Sequence, residues 1–135
     1  MDCLFCNILA KKFPAVFIYE DERVAAFLDI KPVNPGHTLV VPKAHFENVF
    51  DASAEVLRDM AAAAKSIALA IRVATHADGV NLIMNNGRAA GQLVPHIHLH
   101  IVPRLLTDGF RHWNGTPYKD GEVELVAENI RARLQ

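Results

Sequence analysis

The chain has 135 residues, a length that suits one domain, and its 51% hydrophobic and 21% charged residues are typical of a soluble globular protein. A formal net charge of −1 argues against a basic surface that holds the backbone of a nucleic acid. No apolar run approaches the roughly 18 residues of a membrane helix, and no basic, apolar signal peptide opens the sequence. We therefore expect a cytoplasmic protein that binds neither nucleic acid nor membrane.

A short helix, a hairpin and a strand are predicted in the first third of the chain. Apolar residues at helical spacing indicate the helix, and two apolar runs around a polar turn indicate the hairpin. Proline and glycine mark the turns. In chain order we predict a helix over 3–12, closed by Phe13 and Pro14, strands over 17–20 and 24–28, a turn over 31–36, and a strand over 37–41 that ends at Pro42.

The middle of the chain predicts a long helix followed by two strands. Apolar residues recur at helical spacing over 53–75, with Asp51 or Ser53 as the N-cap. One strand is predicted over 80–85. After a glycine-containing loop, a second strand is predicted over 96–102.

A final helix is expected at the C-terminal end, with Asp120 as its N-cap. Its predicted apolar face consists of Val123, Val126, Ala127, Ile130 and Leu134. The stretch 107–121 is the least regular part of the chain and is a candidate flap or interface loop. Because helices and strands do not alternate strictly, the sequence predicts an α+β fold with a largely antiparallel sheet, in a single domain over 1–135.

Three histidines at alternate positions, His96, His98 and His100, are the most informative feature of the sequence. Ile97 and Leu99 separate them, and such a period of two is typical of a strand. The imidazoles are therefore expected on one face and the aliphatic side chains on the other. Adjacent imidazoles can bracket a small charged group, and neutral imidazole can attack phosphorus. A purely structural role and a catalytic zinc site held by the three histidines stay open as alternatives.

Two cysteines, Cys3 and Cys6, form a CxxC motif near the N-terminus. The strand-to-helix context of a redox motif is missing. A structural zinc site would need two more ligands, for which His45 and His96 are candidates. The alternative is that both thiols are reduced and pack as small hydrophobic side chains.

Together with the histidines, four further blocks resemble the histidine triad (HIT) family, in its bacterial Hit/HINT-like branch. The family signature is three histidines separated by hydrophobic residues, and the blocks follow one another in the family's order. The resemblance covers roughly residues 3–104 and leaves the tail and helix at 105–135 undiagnosed. The blocks are FLDI at 27–30, PGHTLVVPK at 35–43, NNG at 85–87 and AGQ at 90–92.

The resemblance implies an α+β domain with a five-stranded, mainly antiparallel sheet, a long helix and a C-terminal helix, which dimerises into one continuous sheet. It implies a nucleotide hydrolase or transferase that cleaves at the α-phosphate of a nucleoside 5′-phosphoramidate or dinucleoside polyphosphate. The substrate would be a purine nucleotide, the product AMP-like, and no organic cofactor would be needed. His98 would form a nucleotidyl-histidine intermediate, and His100 would stabilise phosphate charge or handle the leaving-group proton. His37 would be a fourth histidine nearby.

The resemblance also implies a set of nucleotide-binding residues. Asp29 would accept hydrogen bonds from the ribose hydroxyls, while Asn85 and Gln92 would contact the phosphate or the leaving group. Alternatively, Asp29 could cap a turn and the two amides could satisfy loop backbone. Leu93 stands where related phosphoramidate hydrolases have a serine, which leaves the preferred leaving group open. The base pocket would be lined by Phe5, Phe27 and Ile30, which could instead be ordinary core residues.

A structural zinc ion is implied as well, since some bacterial HIT proteins look similar at the cysteine pair. In such a site, His96, the first of the three histidines, would bind zinc and take no part in the reaction. An alternative function is a nucleotide-binding regulatory protein with low turnover. Residues 112–113, a histidine and a tryptophan, could reach across a dimer to the partner's site. The implied zinc ligands are Cys3, Cys6, His45 and His96.

Overall fold

The computed structural model describes residues 2–134, which contain five strands, three α-helices and one short 3-10 turn. The elements are α1 (Leu4–Leu9), β1 (Phe17–Glu20), β2 (Val24–Leu28), β3 (Thr38–Pro42), α2 (Ala54–Thr75), β4 (Gly79–Ile83), the 3-10 turn (Arg88–Ala90), β5 (Leu99–Arg104) and α3 (Glu122–Arg131). The strands form one sheet in the order β1-β2-β3-β5-β4, with every neighbouring pair antiparallel. This confirms the α+β class. In this described part, no helix is both long and apolar enough to cross a membrane.

β1 and β2 form a hairpin at the predicted residues. The Asp21 carboxylate accepts hydrogen bonds from the backbone N–H groups of Arg23 and Val24, at 2.7 and 2.8 Å. A short acid at this position satisfies the turn backbone and so fixes the register of the two strands.

β3 and β4 are displaced slightly from their predicted limits. β3 begins one residue late because the His37 N–H bonds to the carbonyl of Asn34 in the preceding turn, at 3.0 Å. β3 includes Pro42 as its last residue, whereas the predicted strand covers 37–41 and has this proline as its stop. β4 covers Gly79–Ile83 instead of 80–85, so the two asparagines after it lie in a loop.

The histidine strand is shorter than predicted. β5 begins at Leu99, and only His100 of the three histidines lies in it. The residues before it pair with no strand, because the Ile97 N–H bonds to the carbonyl of Phe46 at 2.8 Å, in the segment before α2. The prediction of a strand over 96–102 is therefore wrong for its first three residues.

α2 packs against one face of the sheet. Ser53 is its N-cap, since its Oγ accepts from the Val56 N–H at 3.2 Å, and Asp51 instead bonds to backbone of its own loop. Ile101 and the partly buried Leu99 belong to the core below α2, so the opposite, histidine-bearing side of β5 faces away from this helix. The buried core consists of Val24, Ala26, Val40, Ala64, Ile67, Ile71 and Ile101.

α1 covers the other face of the sheet. It buries Phe5 and Ile8. The helix ends at Leu9 and not at 12, because Lys11 adopts a left-handed backbone with φ of 63°. The prediction that residues 13–14 close it is therefore wrong. The sheet residues in this second core cluster are Phe27, Leu39 and Val41.

α3 is the least buried helix, and none of its residues is buried. Asp120 does not cap it, contrary to prediction: the N-cap is Gly121, and the Glu122 carboxylate accepts from the Lys119 N–H at 2.9 Å. On the predicted apolar face, Val126 and Ala127 are half-buried and Val123, Ile130 and Leu134 are exposed.

Candidate functional site

A cavity of about 440 Å³ opens on the α1 side of the sheet. Its walls are mainly apolar, with a few polar groups at one end, as is usual for small-molecule sites. Most of the predicted catalytic and nucleotide-binding residues meet here, although they come from four separate parts of the chain. Those in the wall are Phe5, Phe27, Asp29, Ile30, Asn85, His98 and His100.

The ring of His98 is buried and its tautomer is fixed by the backbone. Its Nδ1 lies 2.7 Å from the carbonyl oxygen of His96, which can only accept, so Nδ1 carries the proton. The Nε2 lone pair is the one left for chemistry. The Phe5 ring meets the His98 ring edge-on, with centroids 4.9 Å apart. Burial lowers the pKa of His98 below its ordinary value, which keeps the imidazole neutral at pH 7.

His37 and His100 form a second fixed pair. The Val33 N–H donates to Nδ1 of His37 at 3.1 Å, so a neutral His37 holds its proton on Nε2. That nitrogen lies 2.9 Å from Nδ1 of His100, which accepts the hydrogen bond from the His37 Nε2–H. The proton of a neutral His100 is consequently on its own Nε2, where it can bond to a ligand oxygen. Burial, together with His98 and His37, lowers the pKa of His100 to about 4.

The two oxygens of Asp29 have different surroundings. Oδ1 accepts from the Lys31 N–H at 2.8 Å, which is the turn-capping role considered as the alternative. Oδ2 lies 3.6 Å from Nε2 of His37. Because Asp29 also lines the cavity, this second oxygen can accept from the hydroxyl of a ligand.

Gln92 does not line this cavity, and backbone groups bond to both ends of its amide. Its Oε1 accepts from the Gly87 N–H at 2.8 Å, and its Nε2 donates to the carbonyls of Glu47 and Val94 at 2.6 and 3.0 Å. The structure therefore places Gln92 in the alternative, loop-supporting position. Asn85, which the same loop carries, is the amide that reaches the cavity.

The four predicted zinc ligands meet in one cluster. One ligand atom of each residue lies within 4.8 Å of the other three. Cys3 is the N-cap of α1 and Cys6 lies in its first turn, so the helix presents both sulfurs at one end. His96 donates from Nε2 to the Pro42 carbonyl at 2.9 Å, which leaves the lone pair of its Nδ1 for the cluster. His45 completes the set from the segment after β3.

The spacing of these atoms fits a tetrahedral zinc ion. With Zn–N near 2.05 Å and Zn–S near 2.3 Å, a tetrahedron needs about 3.3 Å between nitrogens and about 3.6 Å between nitrogen and sulfur. The two Nδ1 atoms, of His45 and His96, are 3.0 Å apart. The nitrogen–sulfur distances are 3.4 Å for Cys3 and His96, 3.4 Å for Cys6 and His45, and 3.6 Å for Cys6 and His96.

Gly36 positions the site in a way that the sequence did not reveal. Its φ is 99°, and a Cβ there would lie 2.8 Å from Cγ2 of Thr75, at the end of α2. Only glycine lets the turn before His37 approach the helix this closely. The contact fixes the start of β3 and hence the place of His37.

Several apolar wall residues were not predicted as part of the site. Most of them carry no signal beyond hydrophobicity, which core residues share, whereas Leu93 stands out in the sequence only for the serine that it replaces. For example, the sequence indicates Phe13 and Pro14 only as the end of the first helix. The unpredicted wall residues are Leu4, Ile8, Phe13, Pro14, Ala15, Leu28, Leu39, Gly91, Leu93 and Val94.

Comparisons with known proteins agree with one another. Residues 10–106 match the HIT domain family. A crystal structure of a HIT family member from Bacillus subtilis is similar with a TM-score of 0.91 at 42% identity, over 100% of this chain and 99% of that one. A Zn-bound histidine triad family protein from Mycobacterium smegmatis gives a TM-score of 0.79 at 41% identity, over 98% and 99%. Adenylylsulfatase HINT3 of Arabidopsis thaliana is 40% identical over 103 residues, 76% of this chain and 52% of that protein.

Proposed function

Since this chain belongs to the HIT domain family, we propose that it is a nucleotide hydrolase or transferase that cleaves a nucleoside 5′-phosphoramidate or a dinucleoside polyphosphate and releases a nucleoside monophosphate. The observation that carries the proposal is the bond from Nδ1 of His98 to the carbonyl of His96, which leaves Nε2 as a nucleophile beside a nucleotide-sized cavity. The relative named as an adenylylsulfatase supports a reaction at an adenylyl group.

The cavity suggests one orientation for the nucleotide. The purine base occupies the apolar end, against Phe5, Phe27 and Ile30, and aromatic rings are good partners for a base. The ribose hydroxyls donate to Oδ2 of Asp29. The α-phosphate then lies beside His98, whose ring centroid is 5.0 Å from that of His100.

In the first step, Nε2 of His98 attacks the α-phosphorus and the bond from phosphorus to the leaving group breaks. The proton on Nδ1 stays hydrogen-bonded to the His96 carbonyl, which stabilises the positive charge that develops on the ring. Nε2–H of His100 donates to a phosphate oxygen. His37 holds His100 in the required tautomer.

In the second step, water attacks the same phosphorus and the phosphorus–nitrogen bond breaks. The electron pair returns to Nε2 of His98, one proton of the attacking water passes to the solvent, and the nucleoside monophosphate leaves. Positioning and charge stabilisation supply most of the catalysis at phosphorus, so the fixed rings are the contribution of this chain.

We propose that the cysteine and histidine cluster binds structural zinc, as the Zn-bound relative supports. Bound zinc would supply a cross-link between α1 and the segment before β5, because four protein ligands close its coordination shell. His96 connects this cluster to the reaction, since its side chain lies in the cluster and its carbonyl holds His98.

We further propose a homodimer. β4 is an edge strand of the sheet in the described residues, and it exposes Leu82 and Ile83. A second copy pairing there would continue the sheet across the dimer. The exposed apolar residues of α3 and Trp113, which is 98% exposed, would supply further apolar surface.

The test is intact-protein mass spectrometry after an acid-free quench, with adenosine 5′-phosphoramidate or diadenosine polyphosphate as substrate. His98→Ala removes the nucleophile. His76→Asn is the matched control, since it changes an exposed histidine in a left-handed backbone that asparagine tolerates. Free AMP is measured in the same samples.

We expect an added mass of one AMP on the wild type and the control, with AMP released, and neither on His98→Ala. AMP release by His98→Ala at the wild-type rate would overturn covalent catalysis at this residue. If the wild type binds AMP but cleaves neither substrate, the regulatory alternative replaces the hydrolase.

A further inference from the structure

A second cavity, of about 390 Å³, adjoins the nucleotide cavity. The loop over 85–93 separates the two: Asn85 lines the first, Arg88 lines the second, and Leu93 lines both. Leu93 is 91% exposed, so it closes neither cavity. Leu93 is thus the residue that the linings of the two cavities share, and a group leaving the nucleotide cavity beside it lies next to the second cavity.

The proposed nucleotide orientation sends the leaving group in this direction. The base and ribose occupy the end with Phe27 and Asp29, and the α-phosphate lies at His98. In-line displacement puts the leaving group opposite His98, on the far side of phosphorus. We place it at the loop with Asn85 and Leu93, because Asn85 is the amide in the cavity wall and Leu93 also lines the second cavity.

The charges in the second cavity favour an acidic leaving group. Arg88 is its cation, and within residues 2–134 it forms no ion pair with Glu47 or another acid. The amide of Gln92, though it lines the cavity, is occupied by backbone. As the bond to phosphorus breaks, the leaving group gains the electron pair, so Arg88 stabilises it and Glu47 opposes it.

The wall that faces the leaving group offers an amine no proton, because the proposed orientation directs the Nε2–H of His100 to a phosphate oxygen. An amine must acquire a proton to leave as a stable product, whereas sulfate or phosphate leaves as an anion without one. Leu93, the residue at the boundary, has no hydroxyl or other group that could supply the proton.

We propose that the second cavity is a subsite for acidic leaving groups, sulfate or a phosphate chain, held by Arg88. The preferred substrates are then mixed anhydrides of a nucleoside 5′-phosphate, ahead of phosphoramidates. This inference rests on the proposed function. Nε2 of His98 bonds to the α-phosphorus, the phosphorus–oxygen bond of the anhydride breaks, and the electron pair leaves on the departing oxygen as an anion with no proton transferred.

The test compares kcat/KM for adenosine 5′-phosphosulfate and adenosine 5′-phosphoramidate. Both substrates yield the same adenylyl group on His98, so their ratio depends on the leaving group alone. We expect Arg88→Gln to lower this ratio about fivefold, the size of one solvent-exposed ion pair. Arg88→Lys, which keeps the charge, should retain part of the preference, and added salt should reduce the ratio in the wild type more than in Arg88→Gln.

Two variants control for charge. Arg72→Gln removes one positive charge from α2, on the other side of the sheet, and should leave the ratio unchanged. Glu47→Gln removes the opposing negative charge and should leave the ratio of the two kcat/KM values unchanged or raise it. An unchanged ratio in Arg88→Gln, or an equal fall in either control, overturns the subsite. If the wild type releases AMP from neither substrate, the proposed function itself fails, whereas AMP from both with an unchanged ratio rejects the subsite alone.

Discussion

Backbone contacts decide which nitrogen of each site histidine carries a proton. A carbonyl fixes His98 and another fixes His96, while an N–H group fixes His37. The sequence identified these side chains through their spacing. It could not give their tautomers, because the carbonyl and N–H groups come from distant segments that only the folded chain brings alongside.

Asp29 and Gln92 show the limit of prediction for single residues. Each had a ligand-binding and a backbone-capping interpretation, and an acid or amide in a loop fits both. The structure gives Asp29 the capping bond together with a place in the cavity wall, and it bonds both ends of the Gln92 amide to the backbone. Only the geometry of the neighbouring N–H and C=O groups separates these cases.

We expect the stability of the protein to fall as the pH drops from 6.5 towards 4. Burial, with His98 and His37, lowers the folded-state pKa of His100 to about 4, against 6.5 for an ordinary histidine. In this window the unfolded chain binds a proton that the folded chain does not, so folding loses up to roughly 1.4 kcal/mol per pH unit from this group. Above pH 6.5, His100 is neutral in both the folded and the unfolded chain, so it adds nothing to the pH dependence of the unfolding free energy.

Urea denaturation at pH 7 and pH 5 measures this effect. His100→Gln should reduce the difference in unfolding free energy between the two pH values. Comparing the variant with the wild type removes the contribution of other groups, including any acid-labile metal site. An equal pH dependence in both proteins would contradict the assignment.

At the scale of elements, α1 is a short helix with two functions. Its six residues are too few to be stable alone, so its place depends on what binds it. Phe5 packs against the sheet and lines the proposed nucleotide cavity, while both cysteines belong to the proposed zinc site. Zinc at the cysteines would therefore hold a wall of the nucleotide cavity in position.

Removal of zinc should lower the melting temperature by at least about 5 °C, because four ligands spread over three segments lose their common partner. Elemental analysis should find one zinc ion per chain. Thermal unfolding before and after treatment with a chelator then measures the change in melting temperature. Cys6→Ser should hold no zinc and show no response to the chelator. His76→Asn should behave as the wild type, and a wild type without zinc or chelator response would contradict the site.

Gly36→Ala should cost about 3 kcal/mol of unfolding free energy, from a strained φ and from the clash with Thr75. Gly121→Ala is the matched control, since Gly121 has a φ of 80° but no atom within 4 Å of an added Cβ. It should cost about 1 kcal/mol, from strain alone. Urea denaturation of both variants gives the difference, and equal costs would contradict a tight approach of the turn to α2.

The element boundaries that the sequence missed have tertiary causes. β5 starts late because the Ile97 N–H is taken by the Phe46 carbonyl, a contact with no local signal. α1 ends early at a left-handed lysine, where glycine is the usual residue. The long amphipathic α2 and the β1–β2 hairpin were predicted closely, since their periodicity and their turn residues agree with the fold.

For the whole molecule, sequence patterns gave the fold class and the order of helices and strands, but not the order of strands in the sheet. That order depends on which strands pair, and β5 inserts between β3 and β4. α3 has the apolar face that the sequence predicts, yet this face lies on the surface of the described chain. Periodicity identifies a face that needs a partner but does not say which partner.

We expect light scattering after gel filtration to give twice the 14.9 kDa mass of the chain. Ile130→Asp puts a charge on the exposed apolar face of α3 and should shift the mass towards the monomer. Glu128→Gln, on the same helix, is the control and should leave the dimer intact. A monomeric wild type at all concentrations would contradict the dimer.

During synthesis, the cysteines of α1 leave the ribosome long before their histidine partner, since Cys3 and His96 are 93 residues apart. At roughly 5–20 residues per second, the thiols wait about 5 to 20 seconds until all four proposed zinc ligands have been synthesised. The β1–β2 hairpin can form in that time, because its contacts are local. The proposed nucleotide cavity, which has both α1 and His100 in its wall, is therefore completed only after the chain has been synthesised past β5.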